Sequence, residues 1–244
     1  MLHNRFSLAA PDYDAHAVMQ KRVVSKLLHT LTPFIRSGNR IIDAGCGPGA
    51  IADLLKDVSM LQIDNAYGMC RQAQGKAPIF CADVSALPFR CNIADIYLSS
   101  LCWQWVKDVP LAIAQAQHAL RERGIIAVAT LLNGSCKSLY DMMNQYRLPL
   151  HTPHYPEYNQ LRDMLLRGDA HMLAEDAWHE VERFPTSFAM MRAFHDIGAT
   201  LPANGRNMTA LRRVLRHYQN IHKDGQGVTI TYHIGLFIVK MGKA

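Results

Sequence analysis

The sequence is short of several features that would narrow its function quickly. No apolar run approaches the ~20 residues needed to cross a bilayer. The opening MLHNRFSLAAPDYDAH carries polar and charged groups where a secretory leader needs an apolar stretch, so neither membrane insertion nor export is expected. The six cysteines (Cys46, Cys70, Cys81, Cys91, Cys102 and Cys136) form no C-x-x-C pair and are scattered along the chain. A metal site and a disulfide framework are therefore not expected, and free thiols in a cytoplasmic, reducing setting fit better. Zinc-finger spacing, an RNP-like aromatic signature and a long Lys/Arg run are all missing, so the net charge of +6 does not point to nucleic acid. It describes a basic soluble chain with a mild preference for acidic partners. There is no internal repeat or low-complexity tract, and no obvious Ser-His-Asp or Cys-His constellation.

What is there is a chain of 244 residues, 49% hydrophobic, enough for one α/β domain with insertions. Apolar spacing from Asp14 to Leu31 predicts an amphipathic N-terminal helix. Strands are expected at Arg40–Asp43, Ser59–Ile63, Pro78–Ala82, Ile93–Leu98 and Gly124–Leu131, with helices at Ala50–Lys56, Tyr67–Gln74 and Asp108–Leu120 between them. This alternation implies a parallel sheet covered by helices on both faces. Beyond Leu132 the alternation stops. Helices are expected in GSCKSLYDMMNQYR, near Asn159–Leu166 and Met172–Asp176, in SFAMMRAFHDIGAT and over Met208–His222. Strands are expected in HEVERF and GVTITYHIGLFIVKM. The expected organisation is a single domain: an N-terminal lid helix (1–34), a ligand-binding core (35–132), helical insertions forming the rest of a lid (133–225) and a final strand (226–244).

The stretch IIDAGCGPGA carries the chemistry. Gly45, Gly47 and Ala50 satisfy the G-x-G-x-x-A dinucleotide fingerprint, and Asp64 lies nineteen residues after Gly45. Glycine spacing alone therefore leaves NAD open. Three details favour S-adenosylmethionine (SAM). Asp43 precedes the loop, where a carboxylate suits an α-ammonium and would repel a pyrophosphate. Gly49 gives the loop a third glycine. Asp83 closes the third strand, placed to accept from an adenine amino group. All three acids fall at the carboxyl ends of strands, where such sheets bind ligands.

IIDAGCGPG, LQIDNAYGM and CADVSALPF resemble successive motifs of the class I SAM-dependent methyltransferases. The resemblance implies a Rossmann-like, doubly wound, mostly parallel sheet with SAM as cofactor. It implies that Asp64 binds the ribose hydroxyls, that Asp83 and the Val84 amide bind adenine, and that Gly45, Cys46 and Gly47 line the methionine end. Asn65, Met69 and Ser99 are further candidates around the cofactor. Cys46 itself reads as a small, polarisable filler rather than a nucleophile.

The segments RFSLAAPDYDAHAVMQ, SSLCWQWVKDV, TLLNGSCKSL, IGATLPANGR and TYHI resemble the malonyl-[acyl-carrier protein] O-methyltransferases of biotin synthesis, the BioC family, from Arg5 to about Ile234. Two departures stand out: the turn before the fifth strand is RERGII, keeping only Gly124, and HTPHYPEY matches at His151 and Tyr155 but differs between them. The resemblance implies methyl transfer to the free carboxylate of a malonyl thioester, on an acyl carrier protein or on CoA. The implied catalytic set is Tyr13, Trp105, His151 and Arg206, with Gln104 positioning the substrate and Arg206 as the carboxylate's partner. A carboxylate with a pKa near ~4 is ionised at neutral pH and needs no general base. The arginines Arg212, Arg213 and Arg216 form a candidate docking face for an acidic carrier protein. A monomer is expected. Two alternatives stay open: another small-acid SAM-dependent methyltransferase, and a SAM-fold assembly factor acting on respiratory complex I.

Overall fold

The computed structural model describes residues 2–148, 155–199 and 208–242. Helices α1 (Leu2–Ala9), α2 (Tyr13–His16) and α3 (Val18–Leu31) precede strand β1 (Arg40–Ala44). Then follow α4 (Ala50–Leu54), β2 (Ser59–Asp64), α5 (Tyr67–Ala73), β3 (Ile79–Cys81), β4 (Ala94–Ser100), α6 (Val109–Ala119) and β5 (Leu120–Leu131). The remainder holds α7 (Lys137–Gln145), α8 (Tyr158–Leu165), β6 (His171–Phe184), α9 (Ser187–Asp196), α10 (Met208–His222), β7 (Lys223–Asp224) and β8 (Gly227–Lys240).

The strands form one sheet in the order β3-β2-β1-β4-β5-β8-β6, with the short β7 paired to β8. The first five are parallel; β8 runs antiparallel between β5 and β6. Strand order reverses between β1 and β4, and that switch point leaves a crevice beyond the strands' carboxyl ends. Helices α3, α4, α7, α9 and α10 cover one face, around Leu27, Ile41, Ile96 and Leu139. Helices α6 and α8 cover the other, around Ile42, Tyr97, Trp103 and Ile126. Ile41 and Ile42 are both buried, as a central strand sealed on both faces requires. Each such side chain contributes about 1.5–3 kcal/mol relative to exposure. Helix α6 starts where Asp108 accepts from the Leu111 amide at 2.9 Å, just ahead of Pro110 in its first turn.

Two expectations are corrected. The helix expected at Met172–Asp176 is the start of strand β6, which pairs with β8 from His171↔Lys240 to Phe184↔Val228. Leu173, Ala174 and Glu175 are compatible with a helix, but the long β8 ladder overrides that local preference. The alternation of half-buried Trp178, Glu180, Glu182 and Phe184 with exposed His179, Val181 and Arg183 is the strand signature. Residues 133–225 therefore contribute an edge strand as well as helices. The helix expected over Asp14–Leu31 is present as α3 from Val18, and two shorter helices, α1 and α2, precede it, so residues 1–34 are not one helix. The chain leaves helical geometry at Ala17 (φ −81°, ψ 48°), which breaks α2 from α3. Helix α3 packs on the sheet core through Val23, Leu27 and Leu31, while α1 and α2 lie over the carboxyl ends of the strands.

Candidate active site

A cavity of about 670 Å³ opens at the switch point, a volume suited to a small-molecule ligand. Its wall is built from the segments that leave each parallel strand: Gly45 and Gly47 after β1, Asp64 and Asn65 at the end of β2, Ala82 to Ser85 after β3, Ser100 ending β4 with Leu101, Cys102 and Gln104 to Asp108 beyond it, and Leu131 ending β5.

The glycine loop is shaped by contacts that only glycine permits. Gly45 has φ +76°, and a Cβ there would run into the Cβ and Sγ of Cys102. The amides of Gly45 and Cys46 both donate to the Ile63 carbonyl, at 2.8 and 2.9 Å, tying the loop to β2. Asp64 then holds the loop from the other side. One carboxylate oxygen accepts from the Gly47 amide at 2.9 Å, the other from the Ala66 amide at 2.8 Å. Burial raises the Asp64 pKa above the usual range, while these two amides oppose the rise. Each oxygen keeps a second lone pair for hydroxyl donors.

Asp43 is fully buried and neither of its oxygens has a partner among the described residues. Its register partner on β2, Gln62, is equally buried, and its amide atoms are also unpartnered. Burial, reinforced by the charge of Asp64, pushes the Asp43 carboxyl up to about 7. An orphaned acid of this kind calls for a cationic or donor group. Asp83 lines the cavity and caps its own turn, accepting from the Ser85 amide at 2.7 Å. The buried Val84 N–H has no acceptor among the described residues, which leaves it free for a ring nitrogen.

The N-terminal helices are anchored by close backbone contact. Helix α1 crosses α5 at Gly68, where any Cβ would strike the Ser7 carbonyl, and the Gly68 amide donates to Ser7 Oγ at 3.1 Å. Phe6 meets Trp105 edge-on with ring centroids 5.5 Å apart. Tyr13 joins Phe6 against Ala10, Ala66 and Met69 and faces the cavity close to Asp64. Burial first, then the neighbouring Asp64, raises its pKa well above the usual phenol range, so it stays protonated. Gln104 is held at both ends: its Nε2 donates to the Leu101 carbonyl at 2.8 Å, and its Oε1 accepts from Thr130 Oγ1 at 3.0 Å.

Of the residues singled out by sequence, Tyr13, Gly45, Gly47, Asp64, Asn65, Met69, Asp83, Val84, Gln104 and Trp105 line this one cavity. Asp43, Cys46 and Ser99 do not. Cys46 is buried, with its thiol toward the Gly47 carbonyl, and burial pushes its pKa well up. Ser99 is turned into the sheet, donating to the Ala44 carbonyl at 2.8 Å. Strand alternation puts the next residue on the wall instead: Ser100 reaches the cavity, its buried Oγ without a partner. His151 and Arg206 lie outside the described residues. The far end of the cavity holds Cys136, Tyr140, Tyr155, Phe194 and Tyr232, which sequence reasoning did not single out as site residues. Tyr155 and Tyr232 sit inside the matched blocks HTPHYPEY and TYHI, and that was the available signal.

Comparison with known proteins fits this geometry. A family model described as a methyltransferase domain matches residues 42–128. The malonyl-[acyl-carrier protein] O-methyltransferase of Geobacter sulfurreducens is 30% identical over 257 aligned positions, covering 96% of this chain and 95% of the relative. The chain belongs to that family. As a member, it is a SAM-dependent methyltransferase. A biotin biosynthesis bifunctional protein, BioCD, from Bordetella avium is 30% identical across 93% of this chain and 50% of its own greater length. The solved SAM-dependent methyltransferase of Thermotoga maritima, described as a possible histamine N-methyltransferase, covers the whole chain at TM-score 0.58 and 13% identity, which speaks to fold alone. Among the described residues no helix is long and apolar enough to cross a membrane.

Proposed function

We propose that this methyltransferase esterifies the free carboxylate of a malonyl thioester, carried on an acyl carrier protein or CoA, in biotin synthesis in the cytoplasm. The observation that carries the reading is the chemistry of the cavity's far end. It is lined by protonated phenols and apolar groups, with no described side chain poised as a base. Burial raises the pKa of Tyr140 and of Cys136, and Tyr232 is held neutral while bonded to Glu182. Such a wall suits an acceptor that arrives already ionised. The printed names of the relatives, malonyl-[acyl-carrier protein] O-methyltransferase and BioCD, support the same substrate and pathway.

SAM supplies a methyl group on a sulfonium, whose charge is cancelled as an anionic oxygen displaces sulfur. The residues suited to hold SAM are Asp64 for the ribose, Asp83 and the Val84 amide for adenine, and Gly45 and Gly47 for the methionine end, with the buried Asp43 behind the loop acting through its charge rather than by lining the cavity. The chain's remaining tasks are alignment and exclusion of water. Phe6, Tyr13 and Trp105 close the roof, and the doubly held Gln104 fixes the wall between the two ends. The exposed Arg212, Arg213 and Arg216 on α10 have no carboxylate partner among the described residues. They are suited to an acidic carrier protein.

The test is direct. Purified protein, SAM and a malonyl thioester should yield the methyl ester and demethylated cofactor in equal amounts, and the gene should rescue a biotin-requiring strain lacking this step. Soluble protein that does neither removes the reading.

A further inference from the structure

Hydrogen-bond accounting at the far end of the cavity leaves one donor over. Tyr140, on α7, and Tyr155, in the segment before α8, place their hydroxyls 3.1 Å apart, with ring centroids 6.3 Å apart. Two phenols carry two protons, and their mutual bond uses one. No described residue offers an acceptor for the other. Tyr232, on the same wall, is already committed: its hydroxyl donates to Glu182 Oε2 at 2.8 Å. The buried Cys136 adjoins the pair, and Leu131 and Phe194 line the same cavity. An unspent phenol proton lining a ligand cavity is suited to an acceptor on the ligand.

We propose that the Tyr140–Tyr155 pair is the acceptor-acid subsite, in which the spare phenol proton is donated to one oxygen of the substrate carboxylate. The other oxygen is left free to attack. This rests on the reading of the reaction given above and adds the residues that hold the reacting acid. The chemistry favours a carboxylate over a neutral carbonyl. A hydrogen bond to an anion is roughly twice as strong as a neutral one, and a phenol that itself accepts a hydrogen bond is a better donor. A phenol also orients the carboxylate without neutralising the charge that makes it nucleophilic. Burial holds both hydroxyls protonated throughout the working pH range. No proton is transferred: the phenols orient, the oxygen–methyl bond forms as the sulfur–methyl bond breaks, and the electron pair leaves with sulfur.

The experiment uses Tyr140→Phe and Tyr155→Phe, which preserve ring packing. SAM affinity is measured by calorimetry, turnover with the malonyl thioester, and binding of the malonyl thioester against the acetyl thioester on the same carrier. The acetyl compound keeps the thioester carbonyl and lacks the carboxylate. The expected result is an unchanged SAM affinity, a fall of about 10- to 100-fold in kcat/KM, and weaker binding of the malonyl compound only. Full turnover in both variants would overturn the assignment. So would equal weakening of malonyl and acetyl binding, which would assign the pair to the thioester carbonyl. A wild-type enzyme that makes no methyl ester would instead defeat the underlying reading of the reaction.

Discussion

Replacing Asp43 with Asn isolates the energetic cost of the buried acid beneath the glycine loop. In the folded protein its carboxyl titrates at about 7, against an ordinary value of 3.8. At about 1.4 kcal/mol per tenfold change in proton affinity, this amounts to roughly 4 kcal/mol of ionisation cost. Relaxation and water entry reduce it, so about 2–4 kcal/mol is the working figure. The folded value lies above the unfolded one, so between about pH 4 and 7 the folded state binds more protons. This group's contribution to stability is then greatest below pH 4 and is lost as the pH rises through 7. Asn cannot ionise, so the substitution removes the slope. It still buries an unpaired amide, costing about 1–3 kcal/mol at every pH, so the diagnostic is the difference in slope rather than in absolute stability. Urea denaturation from pH 5 to 8.5, without SAM, measures it. A cationic ligand reverses the preference, because it favours ionised Asp43. SAM affinity in the native enzyme should therefore rise by up to about tenfold per pH unit below 7 and level off above it, while the Asn variant should bind weakly and without that rise. Parallel stability curves for the two proteins, or the same pH profile for SAM, would refute the reasoning.

Gly45→Ala combines a left-handed backbone with a clash against Cys102; a loss of about 1–3 kcal/mol in thermal stability and a weakened SAM affinity are expected. Gly68→Ala should push α1 off α5 through the Ser7 carbonyl, lowering turnover while leaving the stability of the sheet nearly intact by hydrogen exchange. Thr130→Val leaves the buried Gln104 Oε1 without its donor; about 1–3 kcal/mol of stability should go, with the larger kinetic effect on kcat. Arg212→Glu together with Arg213→Glu should raise KM for the malonyl carrier protein by about tenfold or more and leave KM for malonyl-CoA unchanged; equal effects would remove α10 as the docking face.

The cofactor half of the fold was legible in sequence because its signals are local. The first three parallel strands are short runs that end at or just before an acid or a glycine, and Asp43, Asp64 and Asp83 fall at those ends by chain order alone. Where the reading missed, a distant contact had decided the structure. Met172–Asp176 carries helix-forming residues, yet it is a strand because β8, more than fifty residues further on, offers it a complete ladder. Ser99 and Ser100 are chemically identical neighbours; only the pleat of β4, fixed by the bond from Ser99 to Ala44, decides which one faces the ligand. Tyr155 lay in a matched block, but its pairing with Tyr140 could not be read, because it joins α7 to the segment before α8 and Tyr140 alone is not distinctive.

The same contrast has an electrostatic side that bears on the reaction. Asp64 ends β2 and Asp83 follows β3 on the cavity wall, with Asp43 buried near the end of β1 behind them. The other acid on the wall, Asp108, is committed to capping α6. At the opposite end Glu182 is masked by Tyr232, and hydroxyls take the place of acids. On the proposed reading, an anionic acceptor entering the cavity is disfavoured near the acids and stabilised among the phenols. SAM has the converse preference. On the proposed reading, opposite charges are thus sorted to opposite ends of one cavity, which Gln104 and Trp105 also line. Where the bound reactants exclude water, their mutual attraction is strengthened, so on this reading the arrangement that selects the two reactants also aligns them.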